Sequence, residues 1–314
     1  MTVRVPRLSV VVEWDNARYY EIQRATMMLR RLLTQLGELT LSAEILLVFD
    51  ARAIDEARVK EVMAGLAAHT PADVEIAAVP THGLRYYQLK NEGARRSRGD
   101  ILLFVDSDVI PEEGWLAALV DALGDPAVQV VMADPHVDAA TLYGKTFALA
   151  WYFPAGGMVG PPAPTTRSFV NSIAFRQETF RRYPFPEDRG LYIGQCIDFT
   201  AMLRDQGIDV YLQPRARVRH PPPTFFRSAV INGHDAVVRQ RRAGDPRARA
   251  SYWRLRGNLS AAAGRVRAER RSVGLSPGGA YVALGIASGY YVVSFLAELL
   301  TWVSPRVVHR LYAL

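Results

Sequence analysis

The sequence predicts an α/β fold built on a doubly wound, mostly parallel sheet, and three observations carry that prediction. Short apolar runs rich in β-branched residues alternate with longer stretches of helical period. Several of the runs close on a carboxylate, as Leu8 to Val12 does at Glu13, Glu44 to Phe49 at Asp50 and Ile101 to Val105 at Asp106. A final stretch, Gly278 to Val303, carries one charge, Glu298, and stands apart as an extension. The expected boundaries are a catalytic domain over 1–225 and an arginine-rich helical region with an apolar C-terminal helix over 226–314.

Length and composition agree with this. A chain of 314 residues that is 49% hydrophobic and 22% charged can bury a large core and is neither disordered nor of low complexity. Its single cysteine, Cys196, excludes an intrachain disulfide and any multi-cysteine metal site. The formal charge of +7 is local, because arginines crowd between Arg239 and Arg271. No zinc-finger spacing, RNA-binding motif or basic repeat interleaved with aromatics accompanies them, so nucleic acid is not an expected partner. Met1 to Arg7 lacks the long apolar core of a signal peptide.

In chain order, the first strand ends in Glu13-Trp14-Asp15-Asn16, and a helix is expected from about Tyr19 to Leu36, with Ile22, Met27, Leu29, Leu32, Leu33 and Leu36 roughly on one face. The second strand closes on Asp50, Ala53 to His69 reads as a helix, and Val74 to Val79 as the third strand. Gly83 permits a turn before a helix that runs to about Ser97 and carries Lys90 and Asn91; Arg98-Gly99 stops it. Ile101 to Val105 is apolar enough for a strand covered on both faces, and it delivers Asp106 and Asp108 to the carboxyl edge of the sheet, where open α/β folds place ligands. Two acids this close call for a cation between them, and their oxygens suit Mg²⁺ or Mn²⁺ shared with phosphates. Taken alone, Asp-x-Asp equally describes a polar turn that caps a helix beginning at Pro111-Glu112-Glu113.

Further on, Trp115 to Leu123 is an expected helix and Val128 to Ala133 a strand. Gly156 to Pro164 is a domain boundary or a mobile loop. Phe169 to Phe175 reads as a strand, Arg176 to Arg182 as a short helix, and Asp198 sits near the start of a helix through Leu203, where the positive helix end favours a carboxylate. Val210 to Leu212 and Ala216 to His220 read as two strands. The C-terminal apolar stretch exceeds the roughly 20 residues that span a bilayer core, and Gly285 and Gly289 have the small-residue spacing of helices that approach closely. It is read as a helix that meets the membrane, with the arginines before it attracted to anionic headgroups, or as a helix that packs in the core or forms a homodimer.

Lys90-Asn91-Glu92-Gly93-Ala94, Gly99-Asp100, the apolar strand, Asp106-Ser107-Asp108, Pro111 and Trp115-Leu116 together resemble the family-2 glycosyltransferases of the GT-A fold, over about Leu8 to His220. The resemblance implies an inverting enzyme that moves a sugar from a UDP- or GDP-sugar donor to a glycan or lipid-linked acceptor with Mn²⁺ or Mg²⁺, at the cytoplasmic side of the membrane, in cell-surface glycan or glycolipid synthesis. It implies that Asp108 binds the metal, that Asp106 contacts the ribose or assists the metal, and that His220 completes the metal site. Asp50 would then contact the nucleobase, Lys90 would lie near the donor, and Asp198 would be the general base. Glu13 is either a nucleobase acceptor or a strand-end acid. The chain departs from the family pattern at Glu13-Trp14-Asp15-Asn16, at Phe169-Val170 in place of a glycine-rich loop, and at Ile197 in place of the Glu of Glu-Asp. Those departures leave a catalytically silent scaffold of the same fold as the alternative. A sugar nucleotidyltransferase would need a glycine- and arginine-rich phosphate loop after the first strand, which is missing.

Overall fold

The structure is a computed structural model, and it describes residues 7–18, 22–39, 41–150, 159–167, 169–187, 190–192, 194–244 and 251–311. The elements, in order, are β1 (Leu8–Glu13), α1 (Ile22–Leu39), β2 (Ala43–Asp50), α2 (Glu56–Leu66), β3 (Val74–Thr81), α3 (Tyr86–Arg96), β4 (Ile101–Asp106), β5 (Ile110–Pro111), α4 (Trp115–Ala122) and β6 (Val130–Val137). There follow α5 (Leu142–Ala150), β7 (Ala163–Pro164), β8 (Ser172–Arg176), α6 (Gln177–Arg182), α7 (Gln195–Asp205), β9 (Val210–His220), α8 (Phe225–Arg242), α9 (Tyr252–Glu269), α10 (Pro277–Val303) and α11 (Pro305–Leu311).

Among the described residues these strands form one sheet in the order β3-β2-β1-β4-β8-β6-β9-β5, with β7 also on β9. β1, β2, β3 and β4 pair in parallel, and β8 runs against β4 and β6, so β6 points the same way as the first four. The pleat sends alternate residues to opposite faces. Val10, Val12, Leu103 and Val105 pack with Met28, Leu29, Leu32, Leu36, Trp115 and Leu116 on one side. Val11, Leu102 and Phe104 pack with Leu89, Phe175, Phe180, Phe185 and Phe199 on the other.

Two glycines of the family-like stretch have steric reasons. A Cβ on Gly93 would stand 2.3 Å from Val11 Cγ1, so α3 can lie on β1 only without a side chain there. A Cβ on Gly99 would stand 2.7 Å from the backbone nitrogen of Ser9, where β4 begins beside β1.

The structure divides into two compact units. Of the described residues, the first holds those in 7–135, 159–187 and 196–220, which include the sheet but for the last two residues of β6; the second holds those in 136–150, 190–192, 194–195 and 221–311. Within the second, α10 faces its neighbours with small residues. Ala280, Ala283, Ala287 and Ala297 are buried, and a Cβ on Gly233 of α8 would lie 2.1 Å from the Ser294 carbonyl oxygen, so α8 and α10 run in close contact. Glu298, the one acid of this helix, is buried against Arg254 at 2.9 Å and accepts from the Ser251 backbone N–H at 3.0 Å. The opposite face, with Tyr281, Val282, Leu296, Trp302 and Val303, is exposed.

Several boundaries differ from the sequence reading. Helix α1 is described from Ile22 to Leu39, its expected start at Tyr19 lies outside the described residues, as do Gly156 to Met158, and Met27, expected on its apolar face, is exposed. Pro111 sits in a two-residue strand rather than at a helix start, and the helix begins only at Trp115, after Gly114 with φ +72°. The two expected strands after Val210 are one strand, which β7 joins at Tyr211 and Leu212 and β5 at Val218 and Arg219, with Pro214 between those two pairings. Helix α5 had no counterpart in the reading.

Candidate active site

Strand register assembles the acids. Glu13 aligns with Asp106 across the β1–β4 pair, so the ends of two neighbouring parallel strands bring two carboxylates together. α3 supplies the countercharge: Lys90, with no exposed surface, donates to Asp106 Oδ1 at 2.6 Å and to the Val170 carbonyl at 2.9 Å. Tyr86, one helical turn earlier on α3, donates its hydroxyl to the same carboxylate at 2.8 Å, and Asn16 Nδ2 approaches Asp106 Oδ2 at 3.4 Å. The Lys90 ammonium also lies 4.6 Å from the centre of the Tyr86 ring. Asp106 is thus fixed on several sides as an oriented acceptor.

Glu13 is turned into its own loop. It accepts from the Asp15 backbone N–H at 2.8 Å and from Asn16 Nδ2 at 3.0 Å. Burial, and then the neighbouring charge of Asp106, push its carboxyl well above the usual range against the opposing charge of Lys90.

Asp108 is held differently. It is 2% exposed, and its Oδ1 is buried without a hydrogen-bond partner. Burial raises its carboxyl from the ordinary 3.8 to about 6, opposed by the charges of His220 and Arg24 and reinforced by Asp106. The β5–β9 pairing, Ile110 opposite Arg219, is what carries His220 to this place. Arg24 of α1 reaches across both strands, donating Nε to the Asp108 carbonyl oxygen and Nη2 to the Arg219 carbonyl oxygen, the latter at 3.1 Å.

Asp50 stands at the end of β2, bridged to the exposed Arg52 at 3.2 Å. Burial pushes its carboxyl up, but hydrogen bonds from Arg52 and from the Gly83 and Arg52 backbone outweigh this and hold it below the ordinary value. Asp198 lies exposed in the first turn of α7, after the exposed Ile197. The structure therefore joins Glu13, Lys90 and Asp106 in one buried network with Asp108 and His220 beside it, whereas Asp50 and Asp198 occupy more open positions.

The donor set suits a divalent cation shared with phosphates. Asp108 offers a buried carboxylate oxygen with nothing to accept, and His220 brings an imidazole to its side. Among the described residues no three His, Cys, Asp or Glu side chains form a metal cage, so Asp106, Asp108 and His220 do not come together as one.

Three participants escaped the sequence reading. Tyr86 shares a helix face with Lys90 at a spacing of four, and Asn16 follows Glu13 by three, so both carried a local signal. Arg24 carried none, because its two acceptors lie 84 and 195 residues away.

With this geometry in view, the comparisons identify the fold as that of the GT-A glycosyltransferases. Residues 26–177 match the model of Glycosyl transferase family 2. The chain is 28% identical over 160 residues to the Pre-mycofactocin glycosyltransferase of Mycobacterium tuberculosis, in strains CDC 1551 / Oshkosh and ATCC 25618 / H37Rv. That match takes in 49% of this chain and 34% of the relative, so the chain spans about a third of the length of the curated relatives it matches. Among solved structures, the mannosyltransferase PcManGT from Pyrobaculum calidifontis, in complex with GDP-Man and Mn²⁺, superposes with a TM-score of 0.58 at 19% identity, over 96% of this chain and 89% of that one. GalNAc-T7 with UDP, GalNAc and Mn²⁺ gives 0.51 at 15% identity, over 77% and 52%. TarS 1-349 of S. aureus gives 0.51 at 14% identity, over 92% and 90%.

Two outcomes follow. Lys90→Met leaves Asp106 buried without its cation and is expected to destabilise the fold by about 3–5 kcal/mol in urea unfolding, with much of the loss recovered in Lys90→Met/Asp106→Asn; an unrecovered double variant would contradict the pairing. For Asp108, a folded-state pKa of about 6 against 3.8 means that the folded chain binds the extra proton more tightly. The stability this adds is full below about pH 4 and is lost as the pH rises through about 6. Without added metal, Asp108→Asn should therefore gain on the wild type across that window, by on the order of 1–3 kcal/mol. A stability difference between the two that does not change with pH would refute it.

Proposed function

We propose that the chain is a metal-assisted glycosyltransferase that moves a sugar from a UDP- or GDP-sugar to an acceptor hydroxyl with inversion, on a glycan or lipid-linked acceptor of cell-surface glycan or glycolipid synthesis. The observation that carries this reading is the pair Asp106 and Asp108 at the end of β4, one oriented by protein donors and the other presenting a buried, unpartnered oxygen. An oriented carboxylate with acceptor capacity left is suited to receive a ribose hydroxyl. An unpartnered one, beside an imidazole, is suited to hold Mn²⁺ or Mg²⁺. Bound there, the metal would neutralise charge developing on the leaving diphosphate.

The chain's own residues divide the remaining work. Asp50, at the open end of β2, is placed to meet the nucleobase. Glu13 and Lys90 are buried, so they act on the donor through what they hold, Glu13 through its loop and Lys90 through Asp106. Asp198, exposed on α7, takes the proton of the acceptor hydroxyl. The acceptor oxygen forms its bond to the anomeric carbon from the face opposite the diphosphate, and the diphosphate leaves with the electron pair of the broken bond.

The acceptor side is read from the second unit. α10 is long and apolar enough to cross a bilayer by length and composition. Its Glu298 is nevertheless buried in a pair with Arg254, and one face packs on α8, which favours a helix lying on the cytoplasmic membrane surface. The exposed Tyr281, Trp302 and Val303 would meet the lipid, and the arginines of α9 its anionic headgroups.

Assayed against a panel of nucleotide sugars, the protein is expected to turn over a UDP- or GDP-sugar only with Mn²⁺ or Mg²⁺. Asp108→Ala should abolish this, and Asp198→Asn should lower kcat by about 10²–10⁴-fold with donor affinity kept. No donor bound or turned over, with Asp108→Ala indistinguishable from wild type, would end the proposal; binding without turnover would identify a silent scaffold. For the membrane, the full chain should sediment with vesicles containing phosphatidylserine, less so in high salt, and Tyr281→Glu/Leu296→Glu should weaken the association. Equal recovery of wild type and variant in the supernatant would exclude lipid contact.

A further inference from the structure

We propose that Arg24 is a positioning residue that fixes the spacing between Asp108 and His220; this rests on the metal–diphosphate reading of the site. The β5–β9 ladder is short. It pairs Ile110 with Arg219 and Pro111 with Val218, and the Glu112 N–H extends it to the Arg217 carbonyl. The site begins where that ladder ends, with Asp108 on one strand's approach and His220 at the other strand's terminus. The Asp108 and Arg219 carbonyl groups lie at this open end, and both accept from the one guanidinium of Arg24.

A guanidinium is a planar fork whose donors keep fixed directions, so it can substitute for a missing rung and hold two backbones at one separation. Lysine offers the same charge as a single point on a flexible stem with rotatable donors, so it holds two acceptors at one separation less firmly than a fork of fixed geometry. Arg24 comes from α1, whose Met28, Leu29, Leu32 and Leu36 are buried against the sheet, so the fork is anchored on a rigid element. Its charge also acts on the Asp108 carboxylate. The two contributions, fork and charge, are separable by substitution: Arg24→Lys removes the first and keeps the second.

The test measures Mn²⁺ binding by electron paramagnetic resonance, in the presence of UDP and separately of GDP, for wild type, Arg24→Lys, Arg24→Gln and a control, Arg30→Lys, on the exposed side of the same helix. Arg24→Lys is expected to bind Mn²⁺ about tenfold more weakly, the loss typical of a residue that orients a metal ligand, with an unfolding midpoint close to that of the control. Arg24→Gln should bind at least as weakly, and where it does not fold the decision rests on Arg24→Lys. Wild-type affinity in Arg24→Lys would show that charge alone suffices and would overturn the positioning role. Loss of affinity only in step with loss of stability would overturn it as well. A wild type that binds no Mn²⁺ with either nucleotide overturns the reading of the site itself, an outcome distinct from any difference among the Arg24 variants.

Discussion

The ion pair between Lys90 and Asp106 is the constraint on which the rest of the site depends. A carboxylate and an ammonium removed from water each lose several kcal/mol of hydration, and mutual attraction offsets this only when the geometry is tight and the remaining hydrogen-bond positions are filled. Here they are filled: the pair is 2.6 Å apart, the lysine also donates to the Val170 carbonyl, and the carboxylate also accepts from Tyr86. Neither residue can move without stranding the other. Because Lys90 is rooted in α3 and Asp106 ends β4, the pair locks the helix to the strand at the edge where Asp108 emerges. Gly93, one turn further along α3, makes the same approach sterically feasible.

The charges that surround Glu13 and Asp108 also differ. Lys90 bonds Asp106 directly, while Glu13 feels it only across the network and is pushed upward by its burial and by Asp106. Asp108 depends on His220 and Arg24, which come from β9 and α1. A strand end that reads as repeated acids is therefore not uniform, because Glu13 and Asp108 are each raised by burial and each faces a different set of neighbouring charges. Those neighbours sit on different elements, so the difference exists only in the folded chain.

Much of the sheet was legible in the sequence because its central strands are covered on both faces. Leu8 to Val12, Ile45 to Phe49 and Ile101 to Val105 are continuous apolar runs for that reason, and the resemblance to family 2 rests on the same central stretch. The failures have equally local causes. Pro111 followed by two glutamates has the composition of a helix start, but pairing with β9 takes it into a strand. Pro214 looks like a break between strands, yet it falls where β9 passes from one neighbour to the other. The site was legible as residue types and not as roles: Lys90 is visible as a lysine on a helix, whereas its complete burial follows from packing.

The segment that matches the family, 26–177, contains Asp50, Lys90, Asp106 and Asp108 but stops short of Glu13, Arg24, Asp198 and His220. The division follows the sheet. The matched part supplies the strand that ends in the acid pair, together with the helix that neutralises one member of it. The unmatched parts supply what stands around the other member, a helix residue upstream and the end of a strand downstream. These outer pieces reach Asp108 through backbone pairing and one forked side chain, contacts that constrain neighbouring main chain more than they constrain a local sequence pattern. A motif search sees the acids for this reason and misses their supports. Arg24 nonetheless places its own demand on residue type, since a planar fork presents its donors to the Asp108 and Arg219 carbonyl groups in fixed directions.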